Sequence, residues 1–347
     1  MKFDFVIGNP PYQDNTLGEN DTFAPPVYNK FIDAAYTVAD KVELVHPARF
    51  LFNAGSTPKN WNEKMLQDEH FKVLNYEADS TKVFANTDIK GGIVITYRDK
   101  EKVYGAIDIF TPFETLNTIL YKVKNSDSFR SFSEIVITRT ASRLTAKMHE
   151  DFPNAINQLS NGHAYDMASN IFERLPQIFY SEKPNDEFEY VRVLGREDNS
   201  RVYKYVRKDY VNTTKNLYKY KLFLSSAIGR GEFGETLSEP IISEPSVAST
   251  ETFLSIGIFD EKEEAVHTMK YIKTKFARAM LGILKSTQAN TPDKWKWVPL
   301  QNFTSSSDID WSVSITDIDK QLYKKYGLSK EEIDFIETNV KEMEWYE

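Results

Sequence analysis

The chain has 347 residues, enough for two domains with separate cores. Its 41% hydrophobic and 27% charged residues are ordinary for a globular protein, and its net charge is −8. With no cysteine and five histidines lacking paired ligand spacing, a disulfide framework, an iron–sulfur cluster and a thiolate zinc site are excluded.

Along the chain, Phe3–Gly8 is a short apolar strand pattern that stops at Gly8 and Pro10. Val27, Phe31, Ala34 and Val38 then recur at helical spacing. Val42–Val45 is a second strand, 61–69 a short helix, and Phe71–Tyr76 a third strand. Gly92–Tyr97 is a fourth, after the turn-like Lys90-Gly91. Strand–helix alternation of this kind predicts part of an α/β sheet. From about residue 104 the pattern changes. Phe113, Leu116, Ile119, Leu120 and Val123 mark a helix, and YVRVLG, RVYKYV and YKLFLSS are strand-like runs. One long helix is predicted from about Glu261 to Lys285. The tail carries another, opened by the capping-box spacing Ser329-Lys330-Glu331-Glu332. No apolar run reaches membrane-spanning length and MKFDFVIGNPP lacks a signal-peptide pattern, so the expectation is a cytoplasmic protein.

Charge is unevenly spread. Arg201–Arg230 holds eight Lys or Arg against one acid, and Lys262–Lys296 eight against three. The tail from Thr304 onward has five bases against eleven acids. Such segregation either builds an anion-binding face despite the acidic total or marks solvated surface.

The stretch Asn9-Pro10-Pro11-Tyr12 leaves the first strand where α/β sheets place their chemistry. Two consecutive prolines stiffen it and restrict the residues before them. A stiff loop presents two acceptors at a fixed separation, the Asn9 side-chain oxygen and the Pro10 carbonyl. Their natural target is a planar NH2 group with two hydrogens to donate. Accepting both draws the nitrogen lone pair out of conjugation and frees it to attack a methyl donor. Tyr12 adds a flat face for a base, a contact worth about 1–3 kcal/mol.

FDFVIGNPPYQ resembles the catalytic motif of amino-group methyltransferases that use S-adenosylmethionine, in the adenine-specific DNA group. Asn-Pro-Pro-Tyr also occurs in enzymes that methylate a glutamine amide in protein or guanine amines in RNA, so the rest of the chain must carry the DNA assignment. PVYNKFIDAAYTVADKVELVHPARFLF resembles the helix-and-strand segment after the catalytic loop of DNA adenine methylases. DSTKVFANTDIKGGIVITYRD is similar to their later strand segment, in which a Phe helps hold the extruded base; by position that is Phe84. ISEPSVASTETFLSIGIFD, YIKTKFARAMLGILKSTQ, KWVPLQNFT and LYKKYGLSKEEIDFIE resemble the C-terminal region of type II restriction–modification methylases with methylase and specificity segments in one polypeptide.

The resemblance implies an α/β fold. Residues 1–103 would form a partial Rossmann-like methyltransferase sheet, the catalytic half. Residues 104–303 would form an α+β target-recognition domain, and 304–347 a helical tail. It implies site-specific N6-methylation of adenine in double-stranded DNA, with S-adenosylmethionine as cofactor and no metal. Asn9, Pro10, Pro11 and Tyr12 would be catalytic, with Tyr12 and Phe84 stacking on the base. Arg201, Lys204, Arg207 and Lys208, interleaved with Tyr203, Tyr205 and Tyr210, suit phosphate contacts. Arg230, between two glycines on a flexible tip, is placed to reach a base edge.

The family's glycine-rich cofactor loop is expected upstream of the catalytic loop, where the chain has almost nothing. The downstream candidate, 227–234 (AIGRGEFG), lacks a leading Phe and a following amphipathic helix, so cofactor-binding residues stay unassigned. Without the cofactor strands, Phe3–Gly8 is expected to be an exposed apolar edge. The chain then reads as the catalytic and recognition portion of a split or truncated methyltransferase with a complementing methyltransferase or restriction subunit. The alternative is an inactive sequence-specific DNA-binding remnant or specificity subunit.

Overall fold

The computed structural model describes residues 3–14, 24–85, 89–212, 214–285 and 287–343. It is mixed α/β with several sheets, in two compact units, Met1–Asn117 and Thr118–Glu347.

In the first unit the apolar run becomes strand β1 (Phe3–Gly8), followed by helix α1 (Tyr28–Val38) and strand β2 (Ala39–Pro47). Helix α2 (Lys59–Leu66), β3 (Phe71–Glu77) and β4 (Ile93–Asp99) complete a four-stranded sheet of order β1-β2-β4-β3. β1 and β2 are parallel, with Phe5 opposite Lys41 and Ile7 opposite Glu43; β4 is antiparallel to both β2 and β3. Strand alternation sends Val42, Leu44, Phe71 and Val94 to one face, where Tyr28, Ile32, Phe50, Trp61 and Met65 close a core over them. Among the described residues the other side of β1 is largely uncovered, with Phe5 stacked on Tyr97. Phe3, Phe5 and Ile7 are 50%, 45% and 73% exposed, and β1 is a free edge of the sheet. This is the exposed apolar edge that the sequence predicts.

Helix α3 (Glu114–Lys124) begins in the first unit and ends in the second. The second unit then runs through β5 (Val136–Ile137), β6 (Arg143–Leu144), α4 (Ala146–Asp151), α5 (Ile171–Arg174), β7 (Tyr190–Glu197), β8 (Ser200–Arg207) and β9 (Val211–Asn212). β10 (Tyr220–Ser225), β11 (Ile241–Ser243), β12 (Val247–Ser249) and β13 (Phe253–Phe259) follow. They form sheets of order β11-β10-β13-β5 and β12-β7-β8, plus the pair β6-β9. Met148, Ile171, Phe172, Val193, Val206 and Tyr210 share one core.

The helix predicted over Glu261–Lys285 is two helices, α6 (Lys262–Lys273) and α7 (Lys275–Gly282), broken at Thr274. Thr274 adopts ψ 149° and its hydroxyl accepts from the Ala277 amide, a helix-start cap. Buried Asp319 accepts from the next two amides, Lys275 at 2.9 Å and Phe276 at 2.8 Å, and satisfies donors a continuous helix would have used internally. Asp319 lies on α8 (Ile315–Lys325), which is followed by α9 (Lys330–Asn339) with the expected Ser329–Glu332 capping box. Helices α8 and α9 thus belong to the second unit, and compactness divides the chain at 117/118.

Candidate active site

Because β1 and β2 are parallel neighbours, their carboxyl ends open on the same rim of the sheet. Asn9–Tyr12 leaves β1 there, and Ala48–Phe52 leaves β2 in a 3-10 turn over Arg49–Phe52. Backbone bonds from Val27 to the Tyr12 carbonyl (3.1 Å) and from Asp14 to the Pro25 carbonyl (2.9 Å) anchor the loop against the start of α1. Asn9 and Pro11 are exposed and Pro10 partly so. Among the described residues no donor is bonded to the Pro10 carbonyl, so that acceptor is open to a ligand.

A cavity of about 310 Å³ lies on this rim, lined by Tyr12, Gln13, Pro26, Tyr28, Pro47, Arg49, Ser56 and Ile89 among others. Ligand pockets start near this size, about 300 Å³. Phe84 follows a 3-10 turn (Ser80–Lys82) and is tied back by its amide to the Ser80 carbonyl at 2.9 Å. Its ring meets that of Tyr12 at 6.3 Å between centroids with planes 64° apart. The two rings are brought together, but edge to face, so a base could lie parallel to one of them and not to both.

Electrostatically the rim is polar over a buried aromatic floor. Burial raises the Tyr12 phenol, with the neighbouring Asn9 side chain opposing. Among the described residues, the Tyr12 hydroxyl and the Asn29 side-chain oxygen are buried without a well-formed hydrogen bond, and both sit where the loop meets α1. Unsatisfied polar atoms of this kind call for a functional explanation. Tyr28 is pushed up to about 12 by burial, partly countered by the neighbouring Thr57 hydroxyl and by the Arg49 charge. Behind it His46 stacks on Tyr28 at 5.7 Å, with its ring nitrogens on Thr96 Oγ1 (2.8 Å) and the Pro47 carbonyl (3.2 Å). Burial pushes His46 down to about 4. Tyr28, His46 and Arg49 escaped the sequence analysis. The available signal was HPAR itself, sitting at the carboxyl end of a strand parallel to β1.

The cations assigned to DNA divide differently. In the second unit Lys204 is bonded to Glu197 at 2.5 Å and Lys208 to Glu189 at 2.7 Å. Arg207 pairs with Asp209 at 2.5 Å and lies on the Phe188 ring at 3.6 Å. Arg201 donates to the Glu239 carbonyl at 3.0 Å. Within the same basic stretch Lys219 pairs with Asp260, and buried Lys221 donates to the carbonyls of Leu217, Lys219 and Glu244. Exposed Arg230 and Lys215 are left without an ion pair among the described residues.

The Arg230 loop is no open tip. The amides of Arg230 (2.7 Å) and Gly231 (3.2 Å) donate to the Glu235 carboxylate, which also takes the Lys285 ammonium. Gly229, at φ 60°, has no room for a Cβ, which would lie 2.0 Å from Glu235. The cradle of the glycine cluster is filled by the chain's own carboxylate, so it does not fit S-adenosylmethionine. Among the described residues no group of three or more His, Cys, Asp or Glu could hold a metal ion, and no helix is long and apolar enough to cross a membrane.

The parallel-strand rim and its Asn-Pro-Pro-Tyr loop lie in the part of the chain that resembles known methylases. Residues 1–84 match the family described as Eco57I restriction-modification methylase. A Mycoplasma pneumoniae (strain ATCC 29342 / M129 / Subtype 1) protein described as an uncharacterized adenine-specific methylase is 34% identical over 95 residues, 27% of this chain and 22% of that relative. Two solved structures are also similar. The type IIG restriction endonuclease BpuSI has 10% identity and a TM-score of 0.34, over 94% of this chain and 49% of that one. The type IIL restriction-modification enzyme MmeI, in complex with DNA, has 9% identity and a TM-score of 0.39, over 96% and 56%. The matched part is thus about a fifth of the curated relative and half of each solved structure.

Proposed function

We propose that the chain methylates the N6 amino group of adenine in duplex DNA, as the catalytic and recognition portion of a restriction–modification methylase. One observation carries this reading: the Asn9–Tyr12 loop stands at the carboxyl end of β1, beside a base-sized cavity, with the Asn9 side chain exposed, no bonded donor on the Pro10 carbonyl among the described residues, and Phe84 against Tyr12. An adenine flipped from the duplex would place its amine between the Asn9 oxygen and the Pro10 carbonyl. There the loop positions and polarises the nitrogen. Tyr12 stacks on the ring once Phe84 swings from its edge contact. The second unit supplies target recognition.

S-adenosylmethionine is the methyl donor this reading requires. The filled Glu235 cradle does not hold it. The free edge of β1 is the natural seat for the strands that do, in a partial Rossmann-like sheet completed by further polypeptide. The test is transfer of labelled methyl to bacterial DNA by the chain together with its complementing segment. Asn9→Ala should abolish labelling of adenine and leave duplex binding nearly intact. Loss of binding instead would contradict the assignment. A second reading, a DNA-binding module that methylates nothing, is favoured by the filled cradle. It predicts salt-dependent duplex binding and no labelling under any complementation.

A further inference from the structure

Arg49 is a guanidinium on the wall of the cavity with no carboxylate within ion-pair distance among the described residues. Its placement is built in. The side chain starts on the 3-10 turn after β2 and donates through Nε to the Lys90 carbonyl. Its methylene stem runs between two glycines at positive φ, Gly55 (87°) and Gly91 (87°). A Cβ on Gly91 would stand 2.8 Å from Arg49 Cγ, and one on Gly55 3.2 Å from Arg49 Cβ. With Nε used and the stem fixed, the two terminal nitrogens remain for a ligand. A guanidinium with no carboxylate beside it on a cavity wall favours an anion, and its planar fork matches two oxygens of one phosphate. Tyr12 on the same cavity supplies the aromatic face.

We propose that Arg49 holds the phosphate of the nucleotide whose adenine enters this cavity. The inference rests on the adenine reading of the Asn9–Tyr12 loop and adds the ligand for the cation beside it. Flipping a base moves its own phosphates toward the protein, so a fixed cation would lock the extruded nucleotide rather than read sequence.

The experiment compares binding of 2′-deoxyadenosine and 2′-deoxyadenosine 5′-monophosphate to the full chain by ligand-observed NMR, in wild type, Arg49→Gln, Arg49→Lys and Tyr12→Ala. The expected result is monophosphate binding about tenfold tighter than nucleoside. Arg49→Gln should erase that difference without weakening the nucleoside. Arg49→Lys, which keeps charge and stem, should retain part of it and shows that the loop still folds. Equal affinity for the two ligands in wild type would overturn the role of Arg49 while leaving the adenine reading standing. Nucleoside binding that is absent, or indifferent to Tyr12→Ala, would overturn both. S-adenosylhomocysteine loosened by Arg49→Gln with the monophosphate unaffected would also overturn it, assigning the cation to a carboxylate.

Discussion

His46 shows how a single side chain ties the rim to the sheet. It is fully buried, bonded to Thr96 and the Pro47 carbonyl, and its ring is the plate beneath Tyr28. Burial lowers its pKa from 6.5 to about 4, so the folded state holds it neutral while the unfolded chain protonates it earlier. The stability this contributes is complete above pH 6.5 and drains away as the pH falls through 6.5 toward 4. Urea midpoints of wild type and His46→Gln should therefore converge over that window; parallel curves would contradict the assignment. HPAR at a strand's carboxyl end could have drawn attention to the segment, but the role of His46 was not legible, because a lone histidine in an apolar strand has no signature until its cross-strand partner Thr96 is known. Asn9–Tyr12 was legible because its chemistry is local: two prolines, an amide and a ring in consecutive positions. Arg49 was not, since its meaning comes from Gly55 and Gly91 meeting it in space.

At the scale of elements, the first unit follows its sequence pattern closely. Each predicted strand and helix of residues 1–100 is present, because local apolar periodicity marks an element even where it misses the buried face: on α1 Phe31 and Ala34 are exposed and Tyr28, Ile32 and Ala35 face the core. The failures lie where a distant residue decides. The break at Thr274 depends on Asp319, 44 residues beyond Lys275, and no window over 261–285 contains it. Asp319→Ala should leave two helix-start amides without acceptors and cost the second unit about 2 kcal/mol or more in chemical denaturation. Asp319→Asn, which keeps an acceptor, should cost less, and equal losses would argue against the capping role. β1 makes the opposite case, an apolar strand with an uncovered face and a free edge. Ile7→Lys places a charge on that edge, and it should reduce self-association of the purified chain in sedimentation with little change in melting temperature. A fall in melting temperature of several degrees would mean that Ile7 is buried within the fold.

For the whole molecule, the segregated charge of the sequence is resolved mostly within the second unit. Lys275 of the second basic stretch pairs with Glu337 of the acidic tail at 2.5 Å, and Lys273 with Glu239 at 2.6 Å. Lys204, Arg207 and Lys208 are spent on neighbouring acids. A cation already paired inside the protein releases few counterions when it meets DNA, so the salt dependence of duplex binding should be shallower than the basic count implies. Which cations stay unpaired was invisible in a linear count, since partners such as Glu239 and Asp260 lie outside the basic run. What the sequence did carry to this scale is the Asn9–Tyr12 loop, its strand and the free edge beside it.

The most direct test of the central claim is single-molecule sequencing of genomic DNA from a host carrying the gene at its native locus, as wild type and as Asn9→Ala. The account predicts N6-methyladenine at a defined sequence in the wild type and its disappearance in the variant, with protein level unchanged. The same methylation in both strains would contradict it.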